Sequence, residues 1–195
     1  MNEASATGKS TSKSSFLPKK RKKITASYLE NAGAYYLERF SASIQQFRTV
    51  MQRKITNSCR DHPEQSIDDS NTLLEAVISK FISLGYLNDT TYGVSLLRTL
   101  QQKGYSRNRI LQTMRHKGLS QDILDDIVPE AQPLDDFCAA LKMCKRKKLG
   151  PYALRTRPNE MQRSLATLAR AGFSYACAQK ALNLKQDDIA QYLED

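Results

Sequence analysis

From Thr25 onward, apolar residues recur with a period near that of a helix, and polar residues fill the positions between them. Tyr28, Leu29, Ala32, Tyr35, Tyr36 and Phe40 form a first stripe; Ile44, Phe47, Val50 and Met51 form a second from about Ser43. The stretch from Asn57 to Ser66 is polar, contains Pro63, and reads as a loop. A helix opening at Asp68-Asp69-Ser70, acidic residues suited to a helix N-terminus, carries Leu74, Val77, Ile78 and Phe81. Three more stripes follow: Tyr92, Leu96 and Leu100; Ile110, Leu111 and Met114; Ile123, Leu124, Ile127 and Val128. Beyond Pro129 and Pro133 come Leu134, Phe137, Leu141 and Cys144, then Met161, Leu165 and Leu168, then Ala178, Ala181 and Leu182. Ile189 and Leu193 suit a last short helix. Nothing alternates with period two for long, so the expected class is all-α.

The helices are punctuated by a recurring mark of glycine, apolar residue and small polar residue. Gly104-Tyr105-Ser106, Gly118-Leu119-Ser120 and Gly172-Phe173-Ser174 are three copies, and Gly85-Tyr86 with Asn88 close behind is a fourth. Such a glycine ends one helix in the left-handed conformation, the apolar residue packs back, and the Ser or Asn caps the next helix. Two corners also carry hydrophobic staples, Tyr105 facing Ile110 and Leu119 facing Leu124. Gly93, inside a helix, costs about 1 kcal/mol against alanine and implies close helix packing. The expected architecture is an elongated array of three three-helix repeats. Residues 25–66 hold the first repeat and its loop, 67–130 the central repeat and 131–195 the third, behind a disordered basic tail at 1–24.

Charge adds the next constraint. The net charge is +10 and the pI about 9.5. The first 23 residues hold seven lysines and arginines against Glu3 alone, so six of the ten net charges lie there. A polyanionic partner is expected. Pro18-Lys19-Lys20-Arg21-Lys22-Lys23 resembles a nuclear import signal, but the favoured reading is a flexible arm that gains affinity for nucleic acid by releasing counterions. Further along, Arg98, Lys103, Arg107, Arg109, Arg115 and Lys117 sit on two central helices; Lys145, Arg146, Lys147, Lys148, Arg155 and Arg157 sit in the third block. These twelve are the candidate partner-binding residues, with non-specific single-stranded or duplex DNA as one partner. The alternatives are a helix-turn-helix protein, with Arg107 to Lys117 as recognition helix, and a helical interaction protein whose basic tail is a nuclear-import-like address.

No catalytic motif is present. The chain has no Gly-rich phosphate loop, H-E-x-x-H or G-x-S-x-G, and the pairs Asp125-Asp126, Asp135-Asp136 and Asp187-Asp188 diverge on a helix. His62 and His116 read as surface residues. Cys59, Cys138, Cys144 and Cys177 are spread out with no C-x-x-C pair and read as buried thiols of a reducing cytoplasm, with a zinc site as the lesser alternative. No enzyme activity, metal or cofactor is expected, nor a spanning helix or secretory signal, and a cytoplasmic monomer is the resulting picture.

Leu84-Gly85-Tyr86-Leu87-Asn88-Asp89 begins a run that resembles the RecX family of bacterial RecA regulators. Its central pattern continues through Lys103-Gly104, Arg109-Ile110, Lys117-Gly118-Leu119-Ser120 and the short helix Ile123 to Val128. Tyr28-Leu29-Glu30 to Arg39 is similar to the family's opening, and Arg170-Ala171-Gly172-Phe173-Ser174-Tyr175 to its close. The resemblance spans about Thr25 to Leu184 and departs at Gly93, Gln112-Thr113, Ala171 and the loop at 57–66. It implies three three-helix repeats lying in the groove of the RecA–DNA filament. There such a protein limits filament growth and suppresses strand exchange, ATP hydrolysis and coprotease activity, within DNA repair and the SOS response.

Overall fold

The computed structural model describes residues 20–128, 133–154, 158–185 and 188–192. Among them the regular structure is entirely helical: α1 Ala26–Arg39, α2 Ile44–Asp61, α3 Ile67–Ser83, α4 Asp89–Gln102, α5 Arg107–His116, α6 Gln121–Ile127, α7 Pro133–Lys147, α8 Glu160–Arg170 and α9 Tyr175–Asn183. Short 3-10 turns follow at Gly150–Tyr152 and Ala190–Tyr192.

The corners are built as their sequence requires. At Gly118 the chain turns left-handed (φ 84°); its N–H donates to the Arg115 carbonyl and that of Leu119 to Met114. The equivalent bonds recur at Gly85, Gly104 and Gly172. The side chains of Asn88, Ser106, Ser120 and Ser174 each accept the N–H three residues on. These bonds satisfy groups that a helix end otherwise leaves orphaned.

Three apolar cores form among the described residues. The first joins α1, α2 and α3 through Leu29, Phe47, Met51, Ile55, Leu74 and Phe81, with Leu87 added from the corner. Phe47 and Met51 are fully buried, and each such side chain is worth about 1.5–3 kcal/mol of transfer free energy. The second joins α4, α5 and α6 through Leu97, Leu100, Ile110, Met114, Leu119 and Leu124. The third joins α7, α8 and α9 through Phe137, Leu141, Cys144, Leu168, Phe173 and Leu182. Gly93 makes the close approach its sequence implies, since a Cβ there would lie 2.5 Å from Ile127 Cδ1.

Several expectations change. α3 belongs with α1 and α2, not at the head of the central group: the Phe81 ring lies 5.7 Å from Phe47, and the loop after α2 folds the helix back. α2 runs on to Asp61, well into the expected loop. Its polar last turn is covered by the segment before α1: Ser58, 2% exposed, donates to the Lys22 carbonyl, and Asp61 accepts the Arg21 N–H. Ile24 is buried and exchanges two hydrogen bonds with the Gln65 side chain. Arg21 to Ile24 are therefore fixed, while the rest of the tail expected to be disordered, residues 1–19, lies outside the described residues. Tyr35, Phe40 and Met161, expected inward, are exposed. Leu134 and Leu193 lie outside the described side chains.

The groups meet through two joints of matching construction. In the first, Ser43, the cap of α2, donates to the Lys117 carbonyl at the end of α5; the Ile44 N–H donates to Asp89 at the start of α4 (2.8 Å). In the second, the N–H of Ser106, the cap of α5, donates to the Ala171 carbonyl at the end of α8 (3.2 Å). The Arg107 N–H donates to Asp136 in α7 (2.9 Å). Each joint presses a glycine corner onto a capped helix start. A Cβ at Gly118 would lie 2.5 Å from Gln45 Cβ, and one at Gly172 would collide with Ser106 Oγ and lie 2.8 Å from Arg109 Cβ.

Candidate partner-binding surface

Arg98 projects from α4, exposed beside Val94 and Ser95. Lys103 is the exposed cap at the end of α4. On α5 the buried face is Ile110 and Met114, which turns Arg109, Gln112, Arg115 and His116 outward. Arg109 donates to Gln112 Oε1 (2.9 Å), and Arg115 donates twice to Gln121 Oε1 (3.2 and 3.0 Å). These amides orient the guanidinium groups without neutralising them. Lys117 is half-buried where its carbonyl enters the first joint, and Arg107 is half-buried where its N–H enters the second. Lys145, Arg146 and Lys147 crowd the last turn of α7, with Lys148 just beyond, all exposed; part of this cluster stabilises the helix dipole. Arg155 and Arg157 lie outside the described residues.

The charge pairing is uneven. Among the described residues the ion pairs are Arg21–Asp61, Lys23–Glu64, Arg48–Glu75, His62–Glu64 and Lys80–Glu30. These five lie before α1 or within the first group. Arg48 and Glu75 hold each other by two bonds, 2.7 and 2.9 Å, which raise the arginine pKa and lower that of the carboxyl. On α4, α5 and the end of α7, Arg98, Lys103, Arg109, Arg115 and Lys145 to Lys148 have no carboxylate partner of this kind among the described residues. Cations left without carboxylates keep their full long-range attraction for a polyanion.

Two thiols of the third core are held in their neutral forms. Burial, helped by Cys177, pushes the Cys144 thiol up to about 11, and burial followed by Asp136 raises Cys177. Such thiols are poor nucleophiles and poor metal ligands at neutral pH. Among the described residues no group of three or more His, Cys, Asp or Glu side chains is arranged to hold a metal. Sequence reasoning missed the joint residues Ser43, Asp89 and Asp136, whose local signals read only as ordinary helix starts.

Fold and surface define a class: a basic protein, all-helical among the described residues, whose outward cations are its distinctive chemistry. No family model matches the chain. It is 32% identical over 169 residues to the regulatory protein RecX of Myxococcus xanthus, covering 85% of this chain and 90% of that protein. It is 23% identical to the regulatory protein RecX of Agrobacterium fabrum over 87% of this chain and 89% of that one. The regulatory protein RecX of Vibrio campbellii is 27% identical over 67% of the chain and 87% of its own length. The chain belongs to the RecX family. Among the described residues no helix is long and apolar enough to cross a membrane.

Proposed function

We propose that this chain is a non-enzymatic, monomeric cytoplasmic regulator that binds the RecA–DNA filament and restrains its recombinase, ATPase and coprotease activities in DNA repair and the SOS response. The observation that carries the reading is the set of exposed cations on α4, α5 and the end of α7 that lack carboxylate partners among the described residues. A filament of protein and nucleic acid offers repeated negative charge along its groove, which a file of such cations matches. The two matching joints support the three-repeat arrangement: each repeat docks the corner between its second and third helices onto the second helix of the repeat before. The ends do not continue the pattern. The first group has no glycine corner between α2 and α3, and α8 starts at Asn159 without a side-chain cap bond. Atypical terminal repeats are what a finite array needs to stay monomeric.

Two other readings are weaker on physical grounds. A helix-turn-helix protein reads bases with the N-terminal residues of its recognition helix. Here the start of α5 is occupied by the α8–α9 corner and Asp136. A nuclear import signal needs an accessible extended strand, and the main chain of Arg21, Lys22 and Ile24 is held by α2 and the loop after it. The test is titration of the protein into RecA on single-stranded DNA: ATP hydrolysis falls at substoichiometric protein. Unchanged hydrolysis and filament formation at equimolar protein would reject the proposal. A pull-down with RecA filaments, with and without DNA and at raised salt, separates the two contacts.

A further inference from the structure

The outer side of the first helix group carries a basic trough that the surface on α4, α5 and α7 does not include. It has a volume of about 480 Å³ and lies between the segment before α1, the outward face of α1 and Lys54 of α2. Lys22, Lys23, Tyr28, Asn31, Tyr35 and Lys54 line it. Two features set it apart from a solvated charge cluster.

First, its lysines are placed in advance. The strap is held by its main chain: the Lys22 carbonyl accepts Ser58 Oγ (2.8 Å), the Arg21 carbonyl bonds His62 Nε2 (2.8 Å), and Ile24 is clamped on both sides by Gln65 (2.9 Å each). This fixes where Lys22 and Lys23 emerge without consuming the Lys22 ammonium. Lys23 meets Glu64 at 2.7 Å, while Lys22 and Lys54 have no carboxylate partner among the described residues. Second, the trough contains aromatic faces. Tyr35 is 60% exposed, against any expectation for a ring on a helical apolar stripe. The Arg39 guanidinium lies over it, 5.5 Å from the centroid, and donates to its hydroxyl at 2.7 Å. Tyr28 stands two helical turns before it, about 10.5 Å along α1.

Cations spaced with open aromatic and guanidinium planes suit a partner with both phosphates and unpaired bases. Duplex DNA offers no base faces for stacking, and an acidic peptide offers none either. We infer that this trough is a binding site for single-stranded nucleic acid, with Lys22 and Lys54 on the backbone and the Tyr35–Arg39 pair under a base.

The test uses the full chain and a fluorescein-labelled thirty-mer of thymidylate, read by anisotropy with no recombinase present, so its outcome is independent of the filament proposal. Lys22→Glu with Lys54→Glu weakens binding at least tenfold and lowers the slope of log affinity on log salt by about 1.4, two contacts at about 0.7 each. Tyr35→Ala weakens it about fivefold or more and leaves the slope unchanged. Lys22→Arg with Lys54→Arg retains wild-type binding, and circular dichroism confirms that each variant is folded. Wild-type affinity and slope in the Glu double variant would overturn the site. Equal losses for a duplex of the same length, with no effect of Tyr35→Ala, or equal competition by polyglutamate, would overturn its assignment to single strands.

Discussion

Replacing Gly118 by alanine separates the joint between the first two groups from the corner that forms it. The backbone cost is common to every left-handed corner: a Cβ at φ 84° costs about 1–2 kcal/mol. The joint adds a second cost, because the new methyl would lie 2.5 Å from Gln45 Cβ and 2.8 Å from its Cγ. The Gln45 Cβ is fixed to α2, so relief requires the groups to part by a fraction of an ångström; overpacking of this kind costs about 1–3 kcal/mol. Gly85 is the internal control, with φ 75° and nothing within 4 Å of where its methyl would lie. Urea unfolding followed by circular dichroism should give Gly85→Ala a loss of about 1–2 kcal/mol and Gly118→Ala about 2–5 kcal/mol. Gly172→Ala should resemble Gly118→Ala, since its methyl meets Ser106 and Arg109. Because each group has its own core, a loosened joint should also broaden the transition. Equal losses at Gly85, Gly118 and Gly172 would refute the idea that these corners bear the contacts between groups.

Phe47→Ala should destabilise the first group by about 3–5 kcal/mol, because the fully buried ring fills the space between α1 and α3. Burial raises the Asp89 carboxyl above its usual value, against the pull of the Ile44 N–H. A raised folded pKa gives stability that is complete below the unfolded value of 3.8 and is lost as pH rises through the folded pKa. The stability of the wild type relative to Asp89→Asn should therefore be greatest in acid and decline toward neutrality, as chemical denaturation across pH 3 to 7 would report; a difference that grows with pH would contradict it. Cys144, buried and pushed up to about 11, should resist alkylation at pH 7.5 until the chain unfolds, whereas the part-exposed Cys59 should react first; mass spectrometry of the native protein distinguishes them.

What the sequence carried legibly was local. A glycine, an apolar residue and a hydroxyl within three positions specify both a helix end and the next start, so the corners at Gly104, Gly118 and Gly172 formed as read. The stripes of α3 and α9 are buried as expected. What failed to read was tertiary. Nothing near Leu74 states whether α3 packs backward on Phe47 or forward on Leu97, and short connections on either side permit both. Polar Ser58 and Asp61 looked like a loop because their partners, Lys22 and Arg21, come from a segment more than thirty residues earlier. Tyr35 sits at helical spacing with the core residues, yet the stripe is wider than the surface that covers it. Of the twelve candidate cations, the sequence identified exposed residues on α4, α5 and α7 but could not tell that Arg107 and Lys117 are partly engaged in the joints.

The central claim is that outward cations on α5 engage a nucleoprotein filament. Its most direct test is RecA ATP hydrolysis on single-stranded DNA, titrated with wild-type protein, with Arg109→Glu/Arg115→Glu, and with Glu38→Lys. Glu38 is the cleaner acidic control, because Glu30 is held by Lys80 at 2.8 Å. The account predicts inhibition by wild type and Glu38→Lys at substoichiometric protein, and a clearly right-shifted titration for the double arginine variant. Inhibition by the arginine variant at wild-type concentrations, or none by the wild type, would contradict it.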